Sequence, residues 1–505
     1  MSGATPSERH IARSTLAQQA SQGVGVVAML VVITLLGREL SLREFGLFGL
    51  LIALASYMLV LQASVEGAAV RAIALVPQGG PPRDRVFSTV LALYAVFGLL
   101  AGVIIALVGI ALVGVLKIDA DLEQTAREGF LALGAVTAVG WPFRAYQDAL
   151  RGSQQFVAAA IAEVVANVGY VVAMCVLIVA GAPLWVIIAV GGSLPILLGV
   201  GSLLLLKIVR APFRFRASEV NRATAREVLG FSAYLSAIGI ADLIVYSSDR
   251  IVLSAFRSTA VVGLFEAVIR PHALVRQLHG TLVVTIVPVA SGFVATGDEE
   301  RLHDLLLRGT RYVLAVVVPV TVVLMIVSAP LLDAWLGPEF REAAPAMAIL
   351  LSYWVVSSAT GVGGAMLVAR GRAKELTQVA WAAAVLNLTL SVALTPWLGL
   401  EGVALGTTIP YLVLYPFVMR LILRDFPVGF GRLARAALLP AYVTATATTI
   451  AVGAVRLLAE PEGVLPVVLT ATGGLVFAFA FYAVVWLTPA ERAMLRAVAR
   501  REPRT

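Results

Sequence analysis

The sequence predicts an all-α polytopic membrane protein of about fourteen transmembrane helices, and three observations predict it. Of its 505 residues 60% are hydrophobic and only 13% are charged, with a mean hydropathy of +0.93. A globular domain carries about 25% charged residues, because its surface must face water. The apolar residues gather in runs of about 20, the length that crosses a hydrocarbon core as a helix. Motifs in the first half also recur in order in the second, as two halves built alike require.

The first run, residues 15–36, follows a polar stretch from Met1 to Ser14. It has no small-residue cleavage site, so it is expected to stay in place as a helix. The second, 46–70, starts after Arg43 and Glu44 and ends at Arg71. The third and fourth are read at 87–116 and 129–150, and Arg151-Gly152 separates them from the fifth at 155–180. Gly181 punctuates the step to the sixth, 184–206, which runs into a basic connection from Arg210 to Glu227. The seventh and eighth, 228–255 and 260–293, carry charges inside the apolar pattern. The ninth and tenth are read at 312–332 and 344–369, closed by Arg370-Gly371-Arg372. The eleventh, 376–396, ends before Gly399, and 401–423, 436–457 and 463–487 complete the set.

Net charge is +8, but the basic residues form no continuous stripe, which excludes a nucleic-acid surface. Their distribution is topological. With the amino terminus inside, inner connections hold 28 of the 38 Lys and Arg residues, outer ones seven, and three lie within spans. Cytoplasmic loops carry such an excess, so both termini are expected in the cytoplasm, in a bacterial inner membrane.

Glu44-Phe45-Gly46-Leu47-Phe48 corresponds to Val261-Val262-Gly263-Leu264-Phe265, and Arg151-Gly152 to Arg370-Gly371. Asn167 and Asn387 keep nearly the same offset, as do Gly181 and Gly399. Six helices per repeat give both copies one orientation, so the lobes are expected to be related by a pseudo-two-fold axis along the membrane normal. The division expected is 1–222 for the N-lobe, 223–430 for the C-lobe, and 431–505 for helices 13 and 14 with the tail.

These motifs resemble bacterial polysaccharide flippases of the MOP superfamily, relatives of the MATE exporters. The resemblance is carried by Leu36-Gly37-Arg38-Glu39-Leu40 with Arg43-Glu44-Phe45-Gly46, by Val65-Glu66-Gly67 through Arg71, and by Ser248-Asp249-Arg250-Ile251-Val252-Leu253. Leu336-Gly337-Pro338-Glu339-Phe340, Ala369-Arg370-Gly371-Arg372 and Gly399-Leu400-Glu401-Gly402 extend it over about the first 425 residues. It implies a transporter that turns a polyprenyl-pyrophosphate-linked oligosaccharide from the cytoplasmic to the outer leaflet for a surface polymer. A lipid II flippase and a cation-coupled drug exporter stay open as alternatives. The partners implied are that lipid-linked substrate, membrane lipids and polysaccharide assembly proteins; a monomer is expected.

The chemistry of such a transporter is sought in ionisable residues within spans, which face a cavity or a partner because hydrocarbon solvates them poorly. Arg270 and Arg276 lie far from either end of the eighth span, with His272 and His279 nearby. Steps of four and three put His272, Arg276 and His279 on one face, an anion-binding candidate, since arginine offers a forked donor set to phosphate oxygens. Glu266 sits four residues before Arg270 and can pair with it, and Pro271 interrupts the backbone ladder. The alternative is that these cations only pair with Glu266, Asp242 or Asp249.

In the seventh span Asp242, Tyr246 and Asp249 share a face, with Arg250 adjoining. Asp242 is the more central and can take a coupling proton or cation, because desolvation favours a protonated carboxyl. Asp249 and Arg250, near a helix end, read better as a fixed pair or gate. In the N-lobe, Gln18, Gln22, Glu66, Arg144, Asp148, Glu163 and Asn167 can line a cavity, with Arg144 a substrate contact and Glu66 a gate. Glu66, Arg71, Arg144, Asp148 and Arg151 also lie close enough to the cytoplasmic ends to snorkel or to form a gate lock instead.

The lone Cys175 excludes a disulfide framework. Four histidines without ligand spacing, and no Walker or dinucleotide-binding glycine pattern, predict neither a metal site nor an ATP site, and no cofactor. A membrane glycosyltransferase or ligase needs a hydrophilic region able to hold an acid and a base. The longest connection, Arg210 to Glu227, is short and basic, and reads as a linker lying on anionic headgroups. No enzyme is expected.

Overall fold

The computed structural model describes residues 6–76, 80–209, 211, 213–489, 491 and 492. Arg210 and the tail's Arg496, Arg500, Arg501 and Arg504, used above for orientation, lie outside the described residues, as do the side chains of Arg9 and Arg13. Among the described residues every regular element is helical.

The first of these are α1 (Pro6–Glu39), α2 (Leu42–Ser56), α3 (Leu59–Leu75), α4 (Pro81–Val113), α5 (Glu123–Gly152) and α6 (Phe156–Val179). Then come α7 (Leu184–Gly191), α8 (Leu194–Ile208), α9 (Arg222–Phe256), α10 (Thr259–Val283), α11 (Ile286–Thr296), α12 (Glu299–Ile326) and α13 (Ser328–Leu336). The last are α14 (Ala344–Ser357), α15 (Gly361–Ala369), α16 (Ala373–Leu398), α17 (Leu400–Asp425), α18 (Phe430–Leu433), α19 (Leu439–Ala459) and α20 (Val464–Val485).

Each expected span overlaps one helix or one broken helix. The second is broken at Tyr57–Met58 into α2 and α3, and the sixth bends by 47° between α7 and α8. The eighth breaks at Val284–Thr285 between α10 and α11, whereas the helix runs unbroken through Pro271, where the sequence suggested the interruption. Among the described residues ten spans are long and apolar enough to cross a membrane, or eleven with the bent pair. The α2–α3 pair, α5 and α9 are not among these ten; α2 and α3 are only 15 and 17 residues long on either side of their break. Fourteen crossings are compatible with this arrangement.

The chain forms two compact units, residues 1–263 and 264–505. In the first, glycine governs how closely helices approach. A Cβ on Gly102 would strike the Gly134 carbonyl, and one on Gly134 the Gly102 carbonyl, so α4 and α5 touch backbone to backbone. This contact lets Phe87, Val90 and Tyr94 of α4 pack with Ala145, Ala149 and Leu150 of α5 around Val65 and Ala69 of α3. At the head of α2, Ser41 and Glu44 form a reciprocal capping box that fixes the helix start. It delivers Gly46 against the Thr259 carbonyl and the Gly263 amide. The two glycines that correspond in sequence therefore pack on each other, which explains why neither carries a side chain.

The basic linker after α8 is fastened along the first turns of α4. Backbone amides of Arg214, Arg216 and Asn221 donate to Asp84, Ser88 and Thr89 at 3.1, 2.9 and 3.1 Å. Arg83 lies over the Phe213 ring at 3.8 Å, and Arg85 pairs with Glu219 at 3.1 Å.

In the second unit, Gly402 and Gly406 bring α17 onto the backbone of α16 at Leu394 and Ser391. The last two helices are stapled to α12 at its middle and at its C-terminal end. Arg456 of α19 donates to the Ile326 carbonyl, and Arg311 of α12 donates to the Tyr482 hydroxyl at 3.1 Å and to the Trp486 carbonyl. Apolar helices have little drive to associate in lipid, so these polar staples supply specificity.

Gly102→Val should therefore lower the thermal stability of the purified protein, at a cost of about 1–3 kcal/mol for overpacking. Gly169→Ala, whose added methyl meets nothing within 4 Å, should leave the melting temperature unchanged or slightly raised. Equal behaviour of the two variants in a thermal-shift measurement would contradict the close α4–α5 contact.

Candidate functional site

The first unit holds a connected set of ionised side chains on helices that read as membrane-spanning. Its centre is α5, where Arg144, Gln147, Asp148 and Arg151 recur at steps of three and four and so share a face. Arg151 bridges two acids, donating to Glu66 of α3 at 2.8 Å and to Glu163 of α6 at 2.7 Å. Arg144 donates to the other oxygen of Glu66 at 2.9 Å. The Gln62 amide, with its oxygen turned toward Arg144, accepts from the same guanidinium at 3.0 and 3.1 Å.

Glu163 is the second hub. It accepts from Ser21 and Gln18 of α1 at 2.7 and 3.2 Å, and from Gln147 at 3.0 Å. Behind the pairs, fully buried Asp148 accepts from Tyr94 of α4 at 2.7 Å. Five helices thus contribute to one polar cluster.

The cluster is neither fully sealed nor open. The side chains of Glu66 and Arg151 are each 26% exposed, while Arg144 and Glu163 are 15% and 14% exposed. Two guanidinium groups face two carboxylates, so the charges of these four balance, and the remaining acid, Asp148, is held by a hydroxyl. Such a set can exchange one anion for another. A phosphate group offers acceptor oxygens of the geometry that guanidinium forks already bind in Glu66.

In the α9 helix Asp242 is exposed, Tyr246 half-buried, and Asp249 and Arg250 buried. Arg250 donates to the Tyr246 carbonyl at 3.1 Å, and Tyr57 at the α2–α3 break lies within the electrostatic reach of Asp249 and Arg250.

In the second unit, Glu266 and Arg270 form the pair that their spacing predicts, with Glu266 fully buried. His272 and His279 both turn to an aromatic cluster on α14. His272 shares a hydrogen bond of 2.7 Å with the Tyr353 hydroxyl, and the ring centroids of His279 and Trp354 are 5.2 Å apart. Tyr353 in turn stacks on Tyr411 of α17 at 4.6 Å. Arg276 is exposed instead. The histidines are seven residues apart and align to about 20° on a helix, while Arg276 is turned about 40° from His272. The expected three-residue face is therefore a buried His272 and a half-buried His279 with an exposed arginine at their flank.

The arginine and acid pairs were visible in the sequence as single residues but not as a set. Nothing in the sequence points to Tyr94, Gln62, Ser21 or Gln147, which join the cluster only through the fold, whereas Gln18 beside Ser21 is among the expected cavity residues. The available signal was the charged 144–148–151 face of α5.

Residues 11–294 match the family described as polysaccharide biosynthesis protein, over half of the chain. The chain belongs to that family. Its match includes every residue of the α5 cluster and all of α10. Among curated relatives, the membrane protein EpsK of Bacillus subtilis is 27% identical over 199 residues, and the membrane protein MJ1068 of Methanocaldococcus jannaschii 22% over 198. The chain spans 39% of the length of each, and each match covers 39% of this chain.

Solved structures show the same fold over much more of the chain. The lipid II flippase MurJ in an inward closed conformation superposes with a TM-score of 0.70 at 13% identity, covering 95% of this chain and 99% of its own. An inward-facing MATE family multidrug transporter of the MOP superfamily gives 0.66 at 15%, covering 79% and 94%. A MOP superfamily transporter from Pyrococcus furiosus gives 0.55 at 17%, covering 83% and 95%. The protein is thus a multi-pass membrane protein of the polysaccharide biosynthesis family with the MOP transporter fold.

The network makes a thermodynamic prediction. Removing one partner of a buried pair strands the other, at about 3–5 kcal/mol when burial is complete; with Glu66 a quarter exposed, about 1–3 kcal/mol is expected for Glu66→Leu or Arg144→Met. The double variant should cost clearly less than the sum of the two. Additive losses in a chemical-unfolding double-mutant cycle would contradict direct coupling.

Proposed function

We propose that this protein flips a polyprenyl-pyrophosphate-linked oligosaccharide from the cytoplasmic to the outer leaflet by alternating access, supplying a surface polysaccharide. The observation that carries the reading is the Arg144–Glu66–Arg151–Glu163 chain inside a membrane-embedded unit. Family membership supports the pathway, and the positive-inside distribution supports an inner membrane with both termini in the cytoplasm.

In that orientation the α5 cluster lies toward the inner leaflet. Arg151 is one residue from the end of α5, and Arg144 about 10 Å deeper along it at 1.5 Å per residue. A pyrophosphate arriving from the cytoplasmic side meets two guanidinium groups held in readiness by carboxylates. It takes their donors, and Glu66 is left without its cations. A carboxylate stranded in this way gains from taking up a proton or a cation, which couples cargo to ion binding. Arg276 and Arg270, with His272 and His279 beside them, are the second anion-binding candidates, Asp242 is the coupling carboxylate of α9, and Asp249 with Arg250 is the gate. The six-helix lobes, 1–222 and 223–430, are the working halves of this proposal. The prenyl tail stays in lipid.

A lipid II flippase is the second reading, favoured by the extent of the likeness to MurJ, 95% of this chain against 79% for the MATE transporter named above. Both readings place a polyprenyl pyrophosphate on the same arginines, and a strain lacking the protein separates them. An undecorated surface with accumulated lipid-linked oligosaccharide supports the proposal. Accumulated lipid II supports the second reading, and drug hypersensitivity alone a MATE-type exporter. In the same strain Arg144→Ala and Arg276→Ala should fail to restore surface polymer at normal membrane expression. Full restoration by both would overturn the assigned roles.

A further inference from the structure

A groove of about 520 Å³ runs along the last three turns of α17 and is closed at one end by Phe430 of α18. Tyr415, Met419, Leu423 and Phe430 make its walls, and Arg420 and Arg424 stand one turn apart on its rim. The rim and the walls ask for different chemistry.

The charges on the rim do not cancel. Asp425 pairs with Arg424 at 3.3 Å and with Arg372 at 2.9 Å, and Arg372 pairs as well with Glu375 at 3.2 Å, so these two guanidinium groups have two carboxylates and Arg420 is left over. Arg420 meets no protein acceptor among the described residues, and Arg432 and Arg435 follow within three turns of chain. Arg420 is therefore open to an external anion at the rim. The walls, by contrast, continue from Asp425 back to Tyr415, about 15 Å of helix, without a carboxylate. A small inorganic anion satisfies Arg420 and leaves those walls uncovered. A neutral hydrocarbon covers the walls and leaves the arginine unpaired. Only an amphiphile with an anionic phosphate at one end and a chain at the other meets both.

We infer that this groove is a binding site for an anionic phospholipid of the cytoplasmic leaflet, with its phosphate on Arg420 and a chain laid between Tyr415 and Phe430. The leaflet follows from the orientation adopted above; the phosphate and chain subsites do not depend on the cargo. Basic pockets at the cytoplasmic ends of membrane helices bind anionic headgroups, and an arginine fork matches a phosphodiester better than a lysine does. The lipid wedges α17 against α18, next to the π-helical turn Ala434–Leu438 through which the chain enters α19.

Native mass spectrometry of the full-length protein tests this, with phosphatidylglycerol and phosphatidylcholine of equal chain length titrated in separate arms. Phosphatidylglycerol should be retained about fivefold better by the wild type, the preference expected of one arginine at a membrane surface. Arg420→Gln should abolish the preference, Arg420→Lys should keep part of it, and Phe430→Ala should weaken retention of both lipids. Inorganic phosphate should not displace the bound phosphatidylglycerol. Equal preference in wild type and Arg420→Gln would overturn the site, and displacement by inorganic phosphate would reassign it to a free anion. Because the readout is lipid retention, failure here leaves the cargo reading to its own test.

Discussion

The bridge from Arg151 to Glu66 and Glu163 is the interaction on which the first unit depends. A charged residue at the centre of a membrane helix costs about 2.5–3.5 kcal/mol for insertion, and here Arg144, Arg151, Glu66 and Glu163 neutralise one another. Arg151 alone joins α3, α5 and α6, and Glu163 brings in α1 through Ser21 and Gln18. Helices that lack a hydrophobic drive to associate are thereby given a specific arrangement. The same pairs that assemble the unit hold in place Arg144 and Arg151, the groups we propose to bind phosphate, so on that proposal structural and functional demands fall on the same residues.

That arrangement needs close backbones as well as paired charges. Tyr94 reaches Asp148 because Gly102 and Gly134 let α4 lie directly on α5. A methyl at either glycine would separate the helices and withdraw the hydroxyl from the acid. Gly46 and Gly263 play a comparable part at the head of α2, where loop residues Lys117 and Asp119 also tie down the end of α9 and the start of α10. The polar staples of Arg311 and Arg456 do for α19 and α20 what the ion pairs do for the first unit.

The helices were legible in the sequence because hydrocarbon leaves a strong signature in runs of apolar residues. Their breaks were less so. Pro271 suggested an interruption, yet α10 passes through it and ends at Val283, since a proline within a packed membrane helix can have its freed carbonyl satisfied by neighbours. Glu266 with Arg270 was readable, being local. Glu66 with Arg144 and Arg151 was not, because the partners are 78 and 85 residues apart and each alone resembles a snorkelling end residue. The helical wheel grouped Arg276 with His272 and His279, but Tyr353 and Trp354 on a distant helix decided which of the three became buried.

The most direct measurement is flipping by the purified protein in liposomes, with a fluorescent polyprenyl-pyrophosphate oligosaccharide in both leaflets and a membrane-impermeant glycosidase outside. The account predicts that wild-type protein makes the inner-leaflet pool accessible while Arg144→Ala, reconstituted at equal density, leaves it protected. Equal accessibility with Arg144→Ala, or protection with both proteins, would contradict it.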